Sequence, residues 1–240
     1  VITQLFNDFF TVFSYWELFW ITLIYFSFLY FGLGWMYWKM CRLLLKWGWV
    51  EKISNRPYSR EQLWYELRHS ILSIIVFGFS PLPLAFLIRN GQIQTLENTA
   101  GNVLMGILIL TFWNEIHFYI VHRIMHLRIL MKHVHVVHHR SVVPSVFSVY
   151  SFHPLEAFLL SSVLLTLAPF CPLPSAALMF FPVVSILINF MGHSNYRLAS
   201  KNAPKWLLFA TKHNDHHGKA GREYGFMTNF MDALFTPKEK

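Results

Sequence analysis

Long apolar runs constrain this chain more than any other feature. A helix crosses the hydrocarbon of a bilayer with about 20 mostly apolar residues, and residues 16–38, 70–88 and 103–121 each come close to that length. The first run has Trp16, Trp38 and further aromatics at both ends, the belt expected at a membrane interface. Pro81 and Pro83 interrupt the second run, and the third carries Glu115 and His117. Residues 155–168 and 176–191 are shorter and flank Pro169, Pro172 and Pro174, a stretch that no helix runs through. They predict a helical hairpin that either spans the bilayer or dips into it. The expected class is all-α: a multi-span transmembrane helical bundle of four or five hydrophobic segments. A soluble domain is excluded by the same residues, since 55% are apolar and only 13% charged, against about a quarter charged in ordinary soluble domains.

Charge orients the bundle. The net charge of +8 invites a nucleic-acid reading, but the 20 Lys and Arg are not spread as a patch. Seven lie in 39–68, four in 123–154 and eight in 197–240, whereas 89–102 holds only Arg89. With alternating spans, nineteen of the 20 fall on one side, and the positive-inside rule makes that side cytoplasmic. The basic balance is therefore expected to serve topology and anionic headgroups. Ser59 and Gln62 have the spacing of a capping box and predict a short amphipathic helix to Arg68, lying along the interface. Residues 1–102 thus hold two spans and an interfacial helix, and 103–240 a histidine-rich region of the same domain. Cys41 and Cys171 are set in apolar surroundings and read as packing residues.

The 13 histidines are grouped. His122 and His126 form H-R-I-M-H. His135, His138 and His139 form H-V-V-H-H, and His213, His216 and His217 form H-N-D-H-H. His193 ends N-F-M-G-H, one helical turn after Asn189, and His153 opens H-P-L-E. Residues i, i+3 and i+4 share a helix face, so each triplet predicts three rings on one stripe, and nine imidazoles converge beyond the cytoplasmic ends of the spans. Neutral imidazole is the commonest metal ligand. A catalytic zinc takes about three protein ligands, so nine suit two ions, and the donor type suits iron, copper or zinc. His69 and His133 are read as outside the group, and His117 as either functional or bonded to a neighbouring helix. Glu115 and Tyr119 share the stripe of His122; with Glu156 and Asp215 they are candidates to orient a ligand ring, and for each an ordinary helix hydrogen bond is the competing reading.

In this order the motifs H-R-x-x-H, H-x-x-H-H, H-P-x-E, N-x-x-G-H-x-x-Y and H-x-x-H-H resemble the fatty acid hydroxylase and sterol desaturase superfamily. The tail Tyr224-Gly225 followed by 232–236 is similar to that family's ending, although Met231 stands for its Trp and its Gly between Phe235 and Thr236 is missing. The resemblance implies an all-histidine dimetal centre capped by a cytosolic helical lobe. It implies two iron ions, replaceable by zinc in a purified sample, with O2 as co-substrate and a membrane lipid hydroxylated or desaturated. The ligands carried over are His122, His126, His135, His138, His139, His193, His213, His216 and His217, with His153 not shared by every branch. Asn189 stands where some branches carry another His. The haem-binding H-P-G-G of fused relatives is absent, which predicts a separate electron donor, a b-type cytochrome or a ferredoxin with its reductase. No dilysine-like signal ends the sequence, which tilts the expectation toward a bacterial inner membrane over endoplasmic reticulum. Two rival classes remain: a zinc hydrolase, which would want H-E-x-x-H, and a haem or metal carrier, which needs only one or two axial His per haem.

Overall fold

The computed structural model describes residues 2–197, 209–218, 223–228 and 230–235. These residues form ten helices: α1 (Ile2–Thr11), α2 (Tyr15–Lys46), α3 (Arg60–Gly78), α4 (Pro81–Arg89), α5 (Ala100–Met125), α6 (128–139), α7 (Pro154–Leu167), α8 (Ser175–His193), α9 (Phe209–Gly218) and α10 (Phe230–Phe235). Four stretches are long and apolar enough to cross a membrane: α2, α3 with α4, α5, and α8. The predicted all-helical membrane bundle is what the chain forms. Of the hairpin 155–191, the second arm reaches spanning length and the first, α7, stays shorter.

Local chemistry sets the boundaries. Ser14 and Glu17 close a reciprocal capping box that opens α2. With 32 residues, α2 extends ~48 Å at the usual rise, longer than the ~30 Å hydrocarbon core. Its end carrying Lys39, Arg42 and Lys46 therefore clears the apolar layer. Ser59 does cap α3, accepting from the Gln62 N–H at 3.1 Å. Gln62 does not return the bond; its amide donates to Glu66 at 2.8 Å and to the Val143 carbonyl at 2.9 Å. The separate interfacial helix ending at Arg68 is not formed either. No proline occurs between Arg60 and Pro81, so α3 runs unbroken from Arg60 into the second span. Pro81 then opens α4, where its missing N–H leaves no helical bond unmade.

Two short strand pairs tie the loops at opposite ends of the bundle. Glu51–Lys52 pairs antiparallel with Tyr196–Arg197, joining the α2–α3 loop to the chain after α8. An Arg197–Glu51 ion pair at 2.8 Å reinforces it. Thr95–Leu96 pairs in parallel with Leu173–Pro174, joining the α4–α5 connection to the proline-rich turn before α8. Small residues let the spans approach: a Cβ on Gly106 of α5 would lie 2.8 Å from the Ala177 Cβ of α8. Leu104, Leu108 and Phe112 are exposed one turn apart on the other side of α5, a stripe suited to lipid.

Candidate metal centre

Four pieces of chain deliver the histidines to one place. His122 sits in the last turn of α5 and His126 caps it. His135, His138 and His139 come from α6, His193 from the last turn of α8, and His213, His216 and His217 from α9. Gly192 lets α9 close onto α8, because a Cβ there would meet the Phe209 ring at 3.2 Å and His213 at 3.4 Å. The nine rings form two adjoining groups. His122, His126, His135, His139 and His216 make a group of five; His138, His193, His213 and His217 make a group of four. In each group one nitrogen per ring lies within 4.8 Å of every other. The groups touch, with the His139 ring 5.0 Å from that of His217.

The expectation that each triplet forms one stripe is corrected by this split. His135 and His139 face the group of five while His138 faces the group of four; His216 faces the first while His213 and His217 face the second. Neighbouring helical positions are about 100° apart, so adjacent His residues cannot aim at a single ion. The planes of His138 and His139 differ by 88°, and those of His216 and His217 by 86°. H-x-x-H-H is therefore a device for feeding two sites from one helix. A widened helical turn at Met131–His135 helps to aim the α6 rings.

The residues fit metal ions. The His193 Nδ1–H donates to the Asn189 carbonyl at 3.0 Å, which leaves His193 Nε2 as a bare lone pair. Nε2 atoms of His138, His213 and His217 nevertheless crowd that one atom at 3.3, 3.0 and 3.4 Å. One lone pair cannot accept three N–H donors. Nitrogens bound to a shared ion at about 2.1 Å lie ~3.0 Å apart at a right angle and ~3.4 Å apart at the tetrahedral angle. In the other group His216 Nε2 lies 3.0 Å from His122 Nε2 and 3.1 Å from His126 Nε2. His135 Nε2 and both nitrogens of His139 are buried without a hydrogen-bond partner, a state that buried polar atoms seldom keep without a ligand. Burial, reinforced by the neighbouring rings, holds His138, His213 and His217 well below the ordinary imidazole range. It pushes His126 down to about 3 and His139 to about 2. Burial thus favours the neutral form of these five rings, the form that ligates metal.

Two partners outside the rings brace the group of five. Glu156, 2% exposed, accepts from His135 Nδ1 at 2.8 Å. The Tyr224 carbonyl accepts from His122 Nδ1 at 3.0 Å. Glu115 does not touch a ring. It accepts from the Met227 and Thr228 N–H groups at 2.8 and 3.1 Å and so anchors the tail segment that carries Tyr224. The Tyr119 hydroxyl accepts from Arg123 at 3.1 Å, and Asp215 is exposed. His153 lies outside both groups, its Nδ1 capping α7 by accepting from the Leu155 N–H at 3.2 Å. His133 is exposed, His69 bonds the Tyr65 carbonyl, and His117 meets Ser162 at 3.2 Å. The tail resembling the family's ending is described except for Thr236, which lies outside the described residues.

Three residues position the site in ways the sequence did not show, although two of them, Gly225 and Asp232, belong to the tail that resembles the family's ending. Fully buried Glu66 of α3 accepts from Ser141 at 2.7 Å and also from Ser145, pinning the loop that follows His138 and His139. An ionisable residue so close to an apolar run was its available signal. Asp232 accepts from the Tyr224 and Gly225 N–H groups at 3.0 and 2.9 Å. Gly225 is required there, since a Cβ would lie 2.2 Å from the Thr228 carbonyl oxygen.

A cavity of about 290 Å³ adjoins the centre. It is lined mostly by apolar residues of α1, α2, α3, α4, α5, α7 and α8, among them Phe9, Phe77, Leu84 and Phe118, with Phe152 and the amide of Asn189 beside them. A much smaller space touches His122, His135, His138 and His193, and shares Phe118, Phe152, Leu160 and Asn189 with the large one. The apolar cavity therefore ends at the imidazoles.

Known proteins place this arrangement. The family model for fatty acid hydroxylase matches residues 103–236. Among curated relatives, lathosterol oxidase of Rattus norvegicus is 27% identical over 55% of this chain and 44% of its own length. A probable Delta(7)-sterol 5(6)-desaturase of Neurospora crassa is 24% identical over 77% of this chain and 54% of its own. Sphinganine C4-monooxygenase 2 of Arabidopsis thaliana is 30% identical over 57% of this chain and 51% of its own. The chain spans about half the length of the curated relatives it matches. No solved structure matches it. The matched region contains all nine clustered histidines and both elements that brace them. The chain is an integral membrane protein and belongs to the fatty acid hydroxylase family, within the superfamily that includes the sterol desaturases.

Proposed function

We propose that this protein oxidises a C–H bond of a membrane lipid with O2, at two iron ions held by the two imidazole groups. The observation that carries this reading is the meeting of nine clustered histidines, eight of them buried, with the end of an apolar cavity. The names of the relatives, a sterol oxidase, a sterol desaturase and a sphingoid-base monooxygenase, support lipid as the substrate. His122, His126, His135, His139 and His216 would hold one ion, and His138, His193, His213 and His217 the other. When bound, the pair supplies the reduction of O2 that C–H oxidation requires. Hydroxylation consumes O2, two electrons and two protons to give an alcohol and one water; desaturation gives an alkene and two waters. The electrons come from a separate donor protein.

The chain's own residues contribute binding and orientation. A C–H bond offers no charge to grip, so placement is the protein's main lever. The apolar cavity holds the lipid tail, and Phe118, Phe152 and Leu160 narrow the route to the imidazoles and keep bulk water from them. Glu156 and the Tyr224 carbonyl fix His135 and His122 in the tautomer whose Nε2 faces the ion. The charged ends of the spans support a site on the cytoplasmic side.

Lipid mass spectrometry of cells with and without the gene tests the reading. Gain of one oxygen or loss of two hydrogens in one lipid class is expected, and His138→Ala or His216→Ala abolishes it. Unchanged product in either variant contradicts the ligand assignment.

A further inference from the structure

The metal end of the cavity is not wholly apolar. Asn114 of α5 lines it and is only 7% exposed. Asn189 of α8 lines both the cavity and the small space against the imidazoles. Neither side-chain amide has a hydrogen-bond partner among the described residues; the bond at Asn189 uses its backbone carbonyl. A carboxamide that faces an apolar cavity without a partner is unfavourable, and native interiors rarely keep one that way. Two such groups lining one cavity, Asn189 against the imidazoles and Asn114 one turn before Phe118, point to a ligand that satisfies them.

Position says where the ligand's polar group sits. Asn189 is four residues before His193 and Asn114 eight before His122, about 6 and 12 Å along their helices. The remaining length of the cavity is lined by Phe, Leu, Val, Met and Pro with a few hydroxyls, and no Asp, Glu, Lys or Arg lines it. A charged headgroup inside it would go unpaired in apolar surroundings, which is strongly unfavourable. An uncharged donor–acceptor group such as a hydroxyl or an amide fits.

We propose that Asn114 and Asn189 form a polar collar that recognises an uncharged hydroxyl or amide of the lipid, a few carbons from the bond that reacts, with the tail lying in the cavity. Asn189 is then a binding residue, placed beside the centre to set which carbon faces it. The place of the reacting bond rests on the oxidase reading; recognition of the polar group is a binding event and is tested as one.

The test is native mass spectrometry of the full chain released from nanodiscs, with 1-hexadecanol, hexadecane and palmitate as probes. The wild type should retain the alcohol about tenfold better than the alkane, as one well-made hydrogen bond implies, and should discriminate against the carboxylate. In Asn114→Leu/Asn189→Leu the preference for the alcohol disappears while the alkane still binds, which also shows that the cavity is intact. Asn114→Ser, a smaller change, should retain part of the preference. Equal retention of alcohol and alkane by the wild type overturns the proposal, as does a preference that survives the double substitution. Loss of all oxidation products with the binding preference intact would count against the oxidase reading and leave the collar standing.

Discussion

The two imidazole groups are built from the same residue type, yet the protein holds them differently. In the group of five, His122 and His135 are each pinned through Nδ1, to the Tyr224 carbonyl and to Glu156. In the group of four, only His193 has such a partner, the Asn189 carbonyl within its own helix, while Nδ1 of His138, His213 and His217 is buried without one. The first group takes its rings from α5, α6 and α9 and is fixed from outside; the second relies on α9 for two of its four and on crowding around His193 Nε2. A ligand ring held by an outer hydrogen bond is already in place before metal arrives. The group of four should be ordered chiefly by its ion, so chelators should empty it first.

The largest way to break this contrast is His193→Ala. It removes the atom on which three other rings converge. One ion is lost, and lipid oxidation falls by more than the ~10–100-fold typical of outer-partner substitutions. Metal analysis and product yield together check this, and two retained ions would break the assignment. Glu156→Gln comes next. It should weaken only the five-ring site, by roughly 10–100-fold, visible as a shift of one limb in a two-step chelator titration. Movement of both limbs, or of neither, would erase the distinction between the groups.

A smaller effect is expected from acid. His126 is pushed down to about 3 and His139 to about 2 by burial, whereas the unfolded imidazole titrates near ~6.5. Between these values the unfolded chain binds protons that the folded chain does not, so stability of the metal-free protein rises with pH. Its thermal midpoint in chelator should therefore be lower at pH 5.5 than at pH 7.5; the reverse order would mean that the rings are charged and partnered. The smallest effect, about 1 kcal/mol of stability, is expected for the cap variant Ser59→Ala. Because Ser59 touches neither group, metal affinities should be unchanged, which makes it the control for general loosening in the other variants.

Much of this was legible in the sequence for physical reasons. Spans announce themselves because a bilayer demands a long apolar run, and the histidine motifs because helical spacing is fixed. What spacing could not give was the allocation of rings to two sites, since that depends on the approach of α9 to α8 over Gly192 and on the widened turn before His135. The capping box at Ser59 stays half-made because Gln62 bonds Glu66 and Val143, 81 residues away in the case of Val143, and the helix it opens merges with the second span because no proline breaks it before Pro81. Glu66 and Asp232 act on the site through loops that meet only in three dimensions. Of the three carboxylates weighed as orienting groups, Glu156 alone reaches a ring directly, and helix periodicity had favoured Glu115.

Counting metal in the purified protein tests the central claim most directly. After anaerobic iron loading, iron and zinc together should total two ions per chain by elemental analysis, falling to one in His122→Ala and to one in His193→Ala. A single ion in the wild type, or two ions persisting in both variants, would contradict a centre made of two separate imidazole groups.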